Sequence, residues 1–355
     1  MRTWGGGLPA GLNARRLVTS ILALLTIGNA AADRAPAVVG LVPVPWVELR
    51  FSAHKFFLSA ATILRVQQVD ASTLASALRT PPRGQPVPLT SPEAVALTSE
   101  TDLPFGRDET VTTWLDPTSG AAIQADKLTR GHNPYRKVFR YTDRGVYMWR
   151  SAPADPKVAA EDPAAWTRRS ESFQESPIAP PAGLPITESY ALLYLASAAR
   201  LDRPESKLRL VILSDARLVE LDFSASELIR RRLAFDEAWP GGERHRDGEF
   251  LLRKVRVTAR PLDAAGAGPD VDLGFLGMRG DLTILVETST GIPVEVSGHA
   301  EHIGALAVRL DRVVLREEPA TKRPTGKLDL DGASPSPTHS SSVLPPVRTL
   351  SPDPR

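Results

Sequence analysis

The run from Gly280 to Leu315, GDLTILVETSTGIPVEVSGHAEHIGALAVRLDRVVL, alternates apolar and polar residues, turns, and alternates twice more. Leu282, Ile284 and Val286 share one side of an extended chain. After a turn over Thr288–Gly291, Ile292, Val294 and Val296 resume that side, and Leu306, Val308 and Leu310 continue it. A period of two belongs to β-strands, whose side chains point alternately to opposite faces. Thr283, Glu287, Glu295, Ser297, Arg309 and Asp311 take the other side. The phase slips at Arg312-Val313, after which Val313 and Leu315 carry the apolar side, and this predicts a β-bulge. The reading is an antiparallel meander with one solvated face.

The same grammar recurs upstream. WVELRF (46–51) alternates, and KFFLSAATILRVQQVD (55–70) is a long β-compatible run. TVTTWLDPTSGAAIQADKL (110–128) and YRKVFRYTDRGVYMWRS (135–151) each read as strand, turn, strand. LRLVILSDARLVELDF (208–223) does the same around Ser214-Asp215, and FLLRKVRVTARPL (250–262) supplies a further strand. One segment differs. PITESYALLYLASAARLDRP (185–204) places Ile186, Tyr190, Leu193, Tyr194, Ser197 and Leu201 on one helical stripe, with Leu192, Leu195, Ala196 and Ala199 opposite. A helix apolar nearly all round is covered on both sides. The expected fold is mainly β (α+β): a curved antiparallel sheet or incomplete barrel enclosing one central helix, Ile186–Leu201.

TTWLDPTSGAAIQADKLTRGHNPYRKVFRYTDRGVYMWR (112–150), together with the 280–315 hairpin, resembles a family of exported proteobacterial proteins of unknown function. Their fold is similar to the half-barrel of periplasmic lipoprotein carriers. The resemblance covers about half the chain beyond the leader and implies the half-barrel. It implies no activity. The chain departs from the family in a proline-rich interval, 80–105, and in its C-terminal end.

Residues 1–32 have the make-up of a cleavable export signal. Arg2, Arg15 and Arg16 lead an apolar core of twelve residues, Leu17–Gly28, and Ala30–Ala32 offer small side chains for cleavage. Such a core is too short to span a bilayer, which takes about 20 residues. The residues after Arg15-Arg16 fit a twin-arginine signal poorly, so the general secretory route is expected. Residues 33–45 read as a linker, 46–318 as a single β-rich domain, and 80–105 as a proline-rich loop or excursion within it. From Pro319 the chain has eight prolines in 37 residues and little to bury, so 319–355 reads as a disordered tail.

The whole chain has 43 basic and 41 acidic residues, and the leader holds three basics and no acid, leaving 40 against 41. The nominal basicity is therefore an export feature and does not indicate a nucleic-acid binder, and none is expected. There is no cysteine, so thiol chemistry, disulfides and a lipid-modified cysteine are all excluded. No second hydrophobic stretch is long enough to span a membrane. The expected location is the periplasm.

Candidate sites are few. His299, Glu301 and His302 lie between Gly298 and Gly304 and include zinc-ligand types, but their spacing matches neither H-E-x-x-H nor H-x-x-E-H. No G-x-S-x-G or P-loop occurs. Ser52 and Lys55 fit S-x-x-K, a motif that works at a helix start and here adjoins strand residues. No catalytic residue and no cofactor is expected. Between Lys127 and Arg150 stand seven basic residues and one acid, Asp143. Arg136, Val138 and Arg140 share one strand face, opposite Tyr135, Lys137, Phe139 and Tyr141. Arg136, Arg140 and Arg144 are therefore expected to attract an anionic headgroup or glycan, the anions available outside the inner membrane. Tyr190, Leu193 and Tyr194 are expected to line an opening for an acyl chain. The function expected is noncatalytic binding of a hydrophobic or amphipathic envelope ligand, a lipid or glycolipid. The alternatives are an envelope component acting through its proline-rich tail, and a hydrolase whose groups meet only in three dimensions. The oligomeric state is left open.

Overall fold

The computed structural model describes residues 40–317, apart from 56–57, 104–105, 176–183, 202, 204–205, 215–216, 263–271, 276–277 and 301–303. The export signal, most of the linker, the tail, Asp215, Glu301 and His302 lie outside the described residues.

The chain is mainly β. β1 (Trp46–Lys55) and β2 (Leu58–Asp70) are followed by a short helix α1 (Ala71–Ala77), then β3 (Glu93–Leu103), β4 (Arg107–Leu115) and β5 (Ala122–Arg130). β6 (Tyr135–Thr142), β7 (Gly145–Ala152) and β8 (Arg168–Glu175) complete the first half. The second half holds β9 (Ile186–Thr187), α2 (Leu192–Ala198), β10 (Lys207–Ser214), β11 (Arg217–Trp239) and β12 (Gly242–Pro261). β13 (Asp272–Phe275), β14 (Met278–Glu287), β15 (Pro293–Ala300) and β16 (Gly304–Leu315) end it.

All sixteen strands join one sheet, in the order β8-β7-β6-β5-β4-β3-β2-β1-β16-β15-β14-β12-β11-β10-β9, with β13 beside β14. The first eight strands are a continuous antiparallel meander. β1 and β16 pair the first and last strands with each other, and the expected bulge appears there: Arg50 faces Arg312 while Phe51 faces Leu310, leaving Asp311 as the extra residue. Leu310, Val313 and Leu315 are all buried as a result. The linker is docked at its end, since Val42 N–H donates to Ala198 carbonyl at 2.9 Å and Val44 is buried.

Three expectations need correction. The predicted helix is much shorter than 186–201. Ile186–Thr187 pair in parallel with Val211–Ile212 of β10, Ser189–Ala191 form a 3-10 turn, and only Leu192–Ala198 are α-helical. A uniformly apolar run satisfies a buried strand as well as a buried helix, so periodicity could not divide it. All seven residues of α2 are buried, which is the enclosure expected. The excursion at 80–105 is a loop only to Pro92. Residues 93–103 are β3, with Ala94, Val95, Ala96, Leu97, Ser99 and Thr101 buried between β2 and β4.

The third correction concerns the solvated face of the meander. β11 and β12 form a long hairpin whose tip returns to the sheet, where Asp236–Ala238 pair in parallel with Arg312–Val314 of β16. The pairing β16-β15-β14-β12-β11-β16 is thereby a closed circuit of five strands. Glu287 and Glu295, expected in water, are buried along with Glu237. Arginines satisfy each carboxylate: Arg231 and Arg309 at Glu295 (2.7 and 3.0 Å), Arg244 and Arg246 at Glu237 (2.9 and 3.1 Å), and Arg246 again at Glu287 (3.2 Å). A buried carboxylate persists only with such partners. Among the described residues no helix is long and apolar enough to cross a membrane.

Candidate functional site

The strand registers of β4–β8 set three rows of side chains on the face turned away from the main core. One row runs Thr110, Leu128, Arg136, Ser151, Arg169, and the next runs Thr112, Asp126, Val138, Trp149, Glu171. The third, Trp114, Gln124, Arg140, Tyr147, Phe173, is buried through its middle. Residues two apart on a strand share a face, so once the hairpins pair, these rows follow from the sequence alone.

Two segments rest on this face and leave a cleft between them. At one side lie α1 and the loop after it, packed through Leu74, Leu78 and Leu89 against Ile123 and Trp114. Gln124 ties that loop down, accepting the Arg79 N–H at 2.8 Å and donating to the Ala77 carbonyl at 3.0 Å. Arg140 Nε donates to the Arg79 carbonyl at 3.1 Å, and its Nη1 donates to the Ile123 carbonyl. Burial pushes the Arg140 guanidinium pKa down, but it keeps carbonyl acceptors on two of its nitrogens. At the other side Pro163–Ala165 make a 3-10 turn capped by Asp162, which accepts the Ala164 N–H at 2.8 Å. Trp166 follows, buried, with its indole N–H on the Val158 carbonyl.

The cleft encloses about 400 Å³ and is lined by Arg79, Arg136, Trp149, Arg150, Trp166 and Arg169, among others. The Arg79 guanidinium lies 5.4 Å from the centre of the Trp149 ring. Arg150 is next to Trp149 on β7, so its guanidinium turns to the opposite face, 5.5 Å from the centre of the Tyr135 ring. Arg136 forks onto Asp126, whose hydrogen bond raises the Arg136 pKa above its ordinary value. Glu171, at the rim, accepts the Tyr147 hydroxyl at 2.6 Å. Among the described residues no carboxylate lies within ion-pair distance of Arg79, Arg150 or Arg169. A fork of guanidinium donors beside an indole suits a carboxylate or phosphate attached to a flat apolar or sugar frame. A second cavity of about 460 Å³ adjoins the first, and Arg136 and Pro163 line both.

Of the six candidate ligand residues, Arg136 alone lines the cleft. Arg140 is corrected from a ligand contact to a positioning residue. Arg144 sits at the exposed tip of the β6–β7 turn and pairs with Glu175, far from the cleft in register. Such exposed pairs contribute about 0–1 kcal/mol. Tyr190, Leu193 and Tyr194 are buried, and burial pushes the Tyr194 hydroxyl pKa up to about 12. Tyr190 donates its hydroxyl to Glu109, which Lys127 also contacts at 2.8 Å, and Tyr141 donates to the half-buried Glu188 beside them. The end of α2 does border a cavity of about 300 Å³, at Ala196, Ser197, Arg200 and Leu201, but this one is lined in part by Arg253 and Glu287. His299 lies on β15, exposed and opposite Ala305, instead of in the connection that follows.

Arg79, Arg169 and the two tryptophans are the residues that sequence reading passed over. Arg79 introduces a proline-rich loop, and Arg169 lies on β8, whose residues RRSESFQE offer no apolar alternation. The signal that was present is Trp149, on the same strand parity as Arg136's partner Ser151.

No family model matches the chain, and no curated protein matches it. Among solved structures, the crystal structure of a β-barrel-like protein of a domain of unknown function from Brucella abortus overlaps 80% of this chain and 100% of its own, at 9% identity and a TM-score of 0.37. The resemblance of residues 112–150 to an exported family thus has no matching family model beside it, and the fold rests on the strands themselves.

Proposed function

We propose that this protein is a noncatalytic binding protein of the cell envelope. Its ligand carries an anionic group on a saccharide frame, as an acidic glycan or a glycolipid headgroup does, and the cleft at Arg79, Trp149 and Arg169 receives it. The observation that carries the reading is the pair Arg79 and Arg169, neither with a carboxylate partner among the described residues, on the sheet face that bears the partly buried Trp149 indole. Gln124 and Arg140, both buried, hold the loop that bears Arg79, so the donors are positioned before any ligand arrives. Preorganised donors lose less entropy on binding. The export signal expected at residues 1–32 supports the periplasm as the location, where such anions occur. Relative to the sequence reading, the headgroup side of the ligand gains support, and the acyl side loses the opening that Leu193 and Tyr194 were to line.

Titration calorimetry with the chain starting at Asp33 tests this. The probes are glucuronic acid, glucosamine 1-phosphate, and an acylated glycolipid bearing the same headgroup. Binding that weakens at least tenfold in Arg79→Ala and in Arg169→Ala, and that weakens with added salt, supports the proposal. Equal affinity for acylated and deacylated probes assigns recognition to the headgroup. Affinity unchanged by both substitutions, or absence of binding to every probe, defeats it.

A further inference from the structure

We infer that the ligand is an elongated oligosaccharide, acidic at one end and uncharged at the other, lying across Arg136 so that it fills both cavities. This rests on the anion-binding reading of the first cleft and adds the ligand's length and polarity. The two cavities lie on one face of the same antiparallel strands. The row Thr112, Asp126, Val138, Trp149, Glu171 crosses five strands without a break, and five strands span roughly 19 Å at about 4.8 Å each. That is longer than one sugar ring. Arg136 and Pro163 belong to both cavities, so the wall between them is shared, one side chain and one turn.

The chemistry changes sign along this path. The first cavity gathers Arg79 and Arg169, with Arg136 at its border. The second is lined by Thr110, Thr112 and Trp114 and by three carboxylates, Asp126, Glu161 and Asp162, against two guanidiniums, Arg130 and Arg136. Carboxylates and threonine hydroxyls accept hydrogen bonds from sugar hydroxyls, and the partly buried Trp114 offers an apolar ring face. Asp126 is taken up by Arg136, which leaves Glu161 and Asp162 against Arg130, and this balance opposes a second anion. A chain charged at every residue would suit the first cavity and be opposed in the second. A chain with one terminal acid and neutral residues behind it suits both.

The experiment compares glucuronic acid, glucuronosyl-xylose, a glucuronosyl-xylobiose, and tri-galacturonic acid by calorimetry on the chain starting at Asp33. Affinity should rise at least tenfold from the single acid to the longest single-acid oligomer. Tri-galacturonic acid should bind more weakly than the neutral-tailed oligomer of equal length. Glu161→Ala and Thr112→Val, both outside the buried rows, should remove the gain with length and leave glucuronic acid affinity unchanged. If glucuronic acid binds and length adds nothing, or the uniformly acidic oligomer binds best, the elongated ligand is overturned while the cleft stands. If no acidic saccharide binds, both fall together.

Discussion

The buried guanidinium of Arg140 grips the backbone carbonyl of Arg79, 61 residues earlier in the chain, at 3.1 Å. This single contact couples the middle of the sheet to the loop that carries the cleft's outer arginine. Arg140→Met preserves bulk but leaves the Arg79 and Ile123 carbonyls without their donor. Hydrogen bonds to charged groups contribute about 1.5–3 kcal/mol, so a loss near 3 kcal/mol is expected in urea denaturation. Anion affinity should fall with it. Arg79→Ala should instead reduce affinity and shift stability by no more than about 0.5 kcal/mol. A variant of Arg140 that is destabilised yet binds normally would break the coupling.

The contrast between Arg136 and Arg140 shows how far the sequence alone reaches. Their shared strand face was legible from period two, as were the hairpins at 110–151 and 280–315. That Arg140 is covered was not, because α1 and the loop to Pro92 arrive from another part of the chain. β3 escaped for a local reason: prolines at 86, 88, 92 and 104 bracket it, and eleven β-compatible residues between them were averaged into a loop. Glu287 and Glu295 took the polar parity correctly. Their burial depends on the returning β11–β12 hairpin, a tertiary event with no trace in local alternation.

Ser197 links three distant segments. Its hydroxyl accepts the Trp46 indole N–H at 3.1 Å and donates to the Gly291 carbonyl at 2.6 Å, so β1, α2 and the β14–β15 turn meet on one oxygen. Trp46 is fully buried, so without the Ser197 hydroxyl its indole N–H loses its protein partner. Ser197→Ala should cost about 1–3 kcal/mol. Thermal unfolding monitored by Trp46 fluorescence, in a background where the other tryptophans report separately, measures it. A change below about 0.5 kcal/mol would mean that the helix is held by apolar packing alone.

Glu188 gives a pH dependence of one sign. Burial raises its carboxyl pKa, and the hydrogen bonds from Tyr141 and Ser189 and the nearby Lys127 offset only part of that. A group whose folded pKa lies above its unfolded value contributes stability below the unfolded pKa and loses it as pH rises through the folded one. Glu188→Gln keeps an acceptor for Tyr141 and removes the half-buried charge. The variant should be more stable than the parent at pH 8, with the difference shrinking below about pH 4, where an unfolded glutamate is protonated. Urea midpoints at the two pH values decide this, and a variant less stable at pH 8 would show that the charge is better solvated than its burial implies.

Asp116 supplies the opposite sign. It is buried in the β4–β5 turn, and burial alone would raise its pKa. The hydrogen bonds from Thr118 and Thr90 outweigh that burial, with the Thr90 and Ser119 N–H groups adding to them, and hold the carboxyl far below the usual carboxylate range. Both oxygens are in use: Oδ2 accepts the Thr90 N–H at 2.7 Å and hydroxyl at 2.6 Å, and Oδ1 accepts the Thr118 and Ser119 N–H groups at 3.0 and 2.9 Å. The turn therefore depends on the ionised form. A depressed folded pKa contributes stability present above the unfolded value, about 3.9, and lost as pH falls through the folded one. Acidification below pH 4 should weaken the parent progressively. Asp116→Asn keeps the acceptor on one side and turns the other into a donor facing donors, so at pH 7 it should cost about 2–3 kcal/mol. It should also flatten the acid limb of the stability curve. Equal acid sensitivity in parent and variant would place the origin of that limb elsewhere, the buried Glu237, Glu287 and Glu295 being the next carboxylates to test.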